Sequence, residues 1–165
     1  MSHSVTIQTR TVTTGSPSAI NTTFCRSWTG ILKLAQVALG IVSVGLSGYV
    51  ISHYFGGQTV TENLFFILIA TTFMIASFLL VLSCLCSYTT ESIISKTIFE
   101  LLFHAFAFAL LLAASVTLLT KVTKGRYYNR TESEKLEMGA AICGLINATL
   151  YLISTIFALR TSRGL

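Results

Sequence analysis

LFFILIATTFMIASFLLVLSCLC, residues 64–86, decides the fold: it contains no Asp, Glu, Lys or Arg. At roughly 1.5 Å of rise per residue, a helix of that length crosses the ~30 Å hydrocarbon core of a bilayer. Residues 31–54, 97–120 and 138–159 form three further apolar runs of similar length. Four such runs in a chain of 165 residues leave little sequence for anything else. The expected fold is all-α, a four-helix transmembrane bundle with short loops and a disordered amino-terminal tail.

Composition agrees. Apolar residues make up 53% of the chain, charged residues 10%, and mean hydropathy is +0.75. A water-soluble domain carries about 25% charge to coat its surface, so lipid is the better solvent for this one. The net charge of +5 reads as cations flanking the membrane, with Lys33 and Lys96 placed to snorkel to the interface. No basic patch with interleaved aromatics points to nucleic acid. The organisation expected is a tail over residues 1–29, a four-span domain over 30–160 and a short tail over 161–165. Residues 1–29 are rich in Ser and Thr, hold the one proline, Pro17, and have too few large apolar residues to build a core. The first apolar run begins too late for a cleaved secretory signal, so the first helix reads as a signal-anchor.

Arg10, Arg26 and Lys33 precede or open the first run, whereas residues 55–63 contain Glu62 and no cation. That bias places the amino terminus in the cytoplasm, and four spans return the carboxyl terminus to the same side. The third connection argues back with Lys121, Lys124, Arg126, Arg130 and Lys135, beside Glu132, Glu134 and Glu137. Asn129-Arg130-Thr131 is a candidate N-glycosylation sequon on the expected lumenal side, while Asn21-Thr22-Thr23 would favour the reverse orientation. The expected location is the plasma membrane or secretory and endosomal vesicles, as a multi-pass protein with both termini cytoplasmic.

Lys96, Glu100 and His104 recur at four-residue spacing and share one face of the third helix. A carboxylate at that depth is costly unless it faces the bundle and finds a partner. Gln36 enters from the same side in the first helix and is the expected partner across the interface. Two readings stay open: a structural polar clamp of Gln36, Lys96, Glu100 and His104, or a proton relay in which Glu100 and His104 titrate. The second would make the protein a small oligomeric transporter or proton-linked channel. Asn147, with Ser43, Ser47, Thr71 and Thr72, supplies the remaining polarity near mid-membrane.

Cys25 precedes the first helix, and Cys84 and Cys86 close the second, so all three are candidate palmitoylation sites at the cytoplasmic interface. Cys143 reads as a packing residue. No spacing suits a metal, and no intramembrane nucleophile with a base, paired carboxylates or cofactor motif suggests an enzyme. Small residues repeat at Gly40, Ser43, Ser47 and Gly48 in the first helix and at Ala140, Gly144 and Ala148 in the fourth. Such faces let backbones approach closely, inside the bundle or in a homo-oligomer.

With four close-spaced spans, short loops and a first helix reading Gly30-Ile31-Leu32-Lys33-Leu34-Ala35-Gln36-Val37-Ala38-Leu39-Gly40-Ile41-Val42, the chain resembles the MARVEL-domain family over residues 26–160. Among the small members of the MAL, plasmolipin and chemokine-like-factor type, a basic residue, a polar Glu or Gln one turn on and a Leu-Gly stretch often open that helix. Lys33, Gln36 and Leu39-Gly40 match this pattern. The Thr-rich basic tail before Cys25-Arg26 is similar to insect singles-bar-like members. The resemblance implies a non-enzymatic organiser of membrane microdomains for vesicle trafficking, membrane apposition or cell–cell fusion. Its partners would be membrane lipids and other membrane proteins, with no cofactor. Unlike some larger relatives, the chain has no cysteine pair in its expected external loops.

Overall fold

The computed structural model describes residues 26–54, 61–86, 98–124 and 132–162. They form four helices: α1 Trp28–His53, α2 Thr61–Cys86, α3 Ile98–Lys124 and α4 Glu132–Ser162. Each is long and apolar enough to span a bilayer. Residues 1–25 of the expected tail, Cys25 among them, Lys96 and the Asn129 sequon lie outside the described residues, whereas Trp28 and Thr29, expected in the tail, already belong to α1.

The helices close into a ring in chain order, with α1 against α2, α2 against α3, α3 against α4 and α4 back against α1. Alternating direction brings the start of α1, the start of α3 and the end of α4 to one end, where Thr29, Glu100 and Thr161 line a common cleft. The opposite end gathers the start of α2, the end of α3 and the start of α4.

Polarity is inverted relative to a water-soluble bundle. The buried face of α1 is Gly30, Lys33, Gln36, Gly40, Ser43, Ser47 and Val50, while Ile31, Leu34, Ile41 and Val42 point outward. On α2, Leu64, Leu68, Ile75, Phe78, Leu79 and Leu82 are exposed in the same way. An outward apolar shell of this kind is stable only where the surroundings are apolar too, and the hydrophobic effect cannot then hold the helices together. Close packing and internal hydrogen bonds must do so.

Small residues make that packing possible. Ala140, Ala141, Gly144 and Ala148 of α4 are buried against Ala107, Leu111, Ala114 and Leu118 of α3, and Phe66 and Ala70 of α2 complete the core. Gly144 has no room for a side chain, because a Cβ there would collide with Ser115 Oγ and lie 2.9 Å from the ring of Phe66. Gly40 meets Met74 of α2, its virtual Cβ 3.1 Å from the Met74 side chain. Gly48 does not pack inside the bundle: among the described residues nothing lies within 4 Å of where its Cβ would be. It lies on the open flank of the α1 stripe, whereas Ser43 and Ser47 are buried in its centre.

The helix boundaries extend the expected spans, most of all at the end where α4 begins. α3 continues to Lys124, and α4 begins at Glu132 rather than near Met138. Glu132 and Glu134 occupy the first turn of α4, where carboxylates offset the positive end of the helix dipole, and Lys135 pairs with Glu132 at 2.7 Å. Residues 132–137, which read as loop in the sequence, are therefore the opening of a helix.

Candidate functional site

At the end where α1 starts, Lys33 Nζ lies 2.6 Å from Glu100 Oε1, with both side chains nearly fully buried, 4% and 7% exposed. His104, one turn further along α3, places Nε2 3.5 Å from the same oxygen. Lys33 reaches Glu100 diagonally, since α1 and α3 are not ring neighbours. In a low-dielectric interior this pairing is what makes either charge tolerable, since removing a carboxylate or an ammonium from water costs several kcal/mol (~) per ion.

Gln36 is therefore not the partner of Glu100. It lies one turn deeper on the same face of α1, where its Nε2 donates to Ser154 Oγ of α4 at 2.8 Å. Its backbone carbonyl also accepts a hydrogen bond from Asn147 Nδ2 at 3.2 Å. Gln36 thus fastens α1 to α4 twice, and the carboxylate goes to Lys33. Among the expected clamp residues, the structure brings Glu100 and His104 together, keeps Gln36 in the neighbouring α1–α4 contact and adds Lys33.

Below His104 the polar contacts continue through Tyr151, a residue the sequence did not single out. Its ring centroid is 5.8 Å from that of His104, and its hydroxyl lies 2.6 Å from Ser77 Oγ and donates to the Phe73 carbonyl at 3.3 Å. Phe73 and Phe103 pack around it. Tyr151 is fully buried, and at mid-membrane a phenol needs such partners for its polar tip. The signal that could have found it is its spacing, since Asn147, Tyr151 and Ser154 share one face of α4.

The opposite end carries a second ion pair that sequence reasoning missed. Lys121 Nζ of α3 is 3.1 Å from both carboxylate oxygens of Glu137 in α4 and 2.8 Å from Asn63 Oδ1 in α2. Asn63 Nδ2 completes the triangle by donating to Glu137 Oε1 at 2.7 Å. All three residues read as parts of loops or as a helix-end cation in the sequence. Thr131-x-x-Glu134, a capping-box pattern, was the available sign that α4 begins early enough to include Glu137.

The cysteines divide. Cys84 is fully buried beside Val81, with Val37 and Leu85 packed against that pair, so its thiol is closed to acylation in this arrangement; its position faces the bundle rather than the interface. Cys86, two residues on, turns outward and is exposed. Cys143 is partly buried on α4.

A family model described as MARVEL, membrane-associating domain, matches residues 24–157. No curated protein and no solved structure matches the chain.

Proposed function

The chain belongs to the MARVEL family of membrane-associating domains, and from that premise we propose that it is a non-enzymatic organiser of membrane microdomains, serving vesicle trafficking, membrane apposition or cell–cell fusion. That it is an integral, multi-pass membrane protein follows from the family and the four spanning helices. The observation that carries the finer reading is where its charges go. Lys33 with Glu100, and Lys121 with Glu137 and Asn63, are consumed in holding helices to one another, while the outer surface is apolar. A bundle fastened from within presents a stiff apolar wall of fixed height to lipid, which favours bilayers of matching thickness and order. Both termini face the cytoplasm in this proposal, Cys86 is the acylation site that the described residues leave accessible, and the tail recruits partner proteins.

Phase partitioning tests it. The full chain with a fluorescent tag, reconstituted in phase-separated giant vesicles, is expected to favour one phase, and Cys86→Ser is expected to weaken that preference for protein made in cells. Equal distribution between phases in both forms would overturn the reading.

The rival, a proton-linked channel, is favoured by one observation: neither ring nitrogen of the buried His104 makes a hydrogen bond. Glu100→Gln separates the two. A clamp keeps a hydrogen-bonding acceptor for Lys33 and retains partitioning; a proton carrier loses flux in proteoliposomes.

A further inference from the structure

A cleft opens at the end of the bundle where α1 begins and α4 finishes. Its lining surface is mainly apolar, with Leu32, Phe157 and Ala158 beside the polar side chains of Lys33, Glu100, His104 and Ser154 and with Thr29 and Thr161 next to them. We propose that this cleft binds the phosphate headgroup of an anionic phospholipid, with the lipid chain lying along Leu32 and Phe157. The inference deepens the organiser reading above by naming the chemistry of one lipid it would hold.

Four features of the cleft argue for that ligand. His104 is 1% exposed; its Nδ1 has no hydrogen-bond partner, and its Nε2, 3.5 Å from Glu100 Oε1, forms no hydrogen bond, so the imidazole keeps hydrogen-bonding capacity for a ligand in the cleft. Ser154 Oγ accepts from Gln36, which leaves its own proton to donate. Glu100, the one carboxylate there, is already matched by Lys33, so it does not repel an anion as a free charge would. Arg160 adjoins Thr161, and Arg26 lies three residues before Thr29; both arginines are exposed at the same end.

Size and shape decide between ligands. The cavity volume is about 30 Å³, room for one or two water-sized groups. That admits the oxygens of a headgroup and leaves the rest of the lipid outside. Water alone would use the polar wall and nothing else. Phe157 is exposed on the outer surface, so the apolar wall runs from the cleft toward the acyl chains of the surrounding leaflet. A ligand with an anionic head and an apolar body uses both walls and the flanking cations.

The test uses the full chain in phosphatidylcholine vesicles doped with spin-labelled phosphatidic acid, or with spin-labelled phosphatidylcholine as reference, and reads the motionally restricted lipid fraction. Phosphatidic acid is expected to be enriched about threefold or more over the reference, the scale of a single modest charge-assisted contact. His104→Phe keeps the aromatic volume and removes the nitrogens, and Ser154→Ala removes the hydroxyl. Each should bring the ratio toward one, while Lys135→Gln, on an exposed residue at the far end, should leave it unchanged. Helical content and thermal unfolding in detergent identify any variant that fails to fold; Arg160→Gln, on an exposed residue, then serves in its place and should lower the ratio. No enrichment in the native chain, or an equal loss in Lys135→Gln, would overturn the proposal. Release of the labelled lipid by inorganic phosphate at equal concentration would assign the cleft to free phosphate and overturn the lipid assignment. Phase partitioning is a separate readout, so the headgroup site can fail while the organiser reading stands, and the reverse.

Discussion

The two ends of the bundle solve the same problem differently. Each holds a lysine and a glutamate between helices, and Glu100 and Lys121 are about 30 Å apart along α3 at roughly 1.5 Å per residue, close to the thickness of a hydrocarbon core. At the α1-start end the pair is nearly fully buried at the foot of the cleft, and its third member, His104, adds no well-formed hydrogen bond. At the other end Lys121 stays 24% exposed, and Asn63 supplies both a donor and an acceptor, so the triangle is complete and its cation has access to water. One cluster is strong but brittle; the other is moderate and tolerant. A buried pair has little access to water when one member is lost, whereas an interfacial lysine can rehydrate.

The largest expected effect follows directly. Glu100→Ala removes the carboxylate 2.6 Å from the buried Lys33 ammonium and should destabilise the bundle by about 3–5 kcal/mol. The double variant Lys33→Met with Glu100→Met should cost far less than either single change. Equilibrium unfolding in mixed micelles measures both, and a double variant as damaged as the single ones would show that the pair is not the source of the loss.

Glu137→Ala is expected to cost about 1–3 kcal/mol, because Asn63 still accepts from Lys121 and water reaches the ammonium. A loss equal to that of Glu100→Ala in the same assay would erase the distinction between the ends. Gly144→Ala, midway between them, should cost about 1–3 kcal/mol through overpacking against Ser115 and Phe66, while Gly48→Ala stays within about 0.5 kcal/mol. Cooperative unfolding that shifts equally for the two glycines would contradict the packing.

Tyr151→Phe, which removes the hydroxyl shared with Ser77, should cost about 1 kcal/mol and mark how far the buried cluster extends inward. Lys135→Ala removes an exposed pair with Glu132 and should change stability by no more than about 0.5 kcal/mol, less still at high salt.

The fold was legible because hydropathy is a property of whole segments, and no local ambiguity in residues 64–86 can outweigh a run without a charge. The Glu100–His104 face was legible for a related reason: a carboxylate in such a run stands out, and four-residue spacing fixes the face. Its partner was not. Gln36 and Lys33 lie on the same side of α1, and only the axial offset between helices, which depends on packing, decides which one meets Glu100. Glu137 was hidden because six residues of mixed charge before an apolar run look like a loop, although Glu132 and Glu134 are also what a helix start prefers. Cys84 and Cys86 differ by two positions, roughly 200° around a helix at 3.6 residues per turn, so adjacency in sequence says nothing of shared exposure.

The diagonal reach of Lys33 to Glu100 bears on biogenesis. While the ribosome has delivered only the first hairpin, that ammonium has no carboxylate, and it gains one when the third span arrives. A chain severed between the second and third spans would leave opposite charges orphaned in the two fragments, and each fragment would carry the complement the other lacks. By contrast, Lys121 and Glu137 both belong to the later fragment, which keeps that ion pair and lacks the Asn63 side chain that completes the triangle.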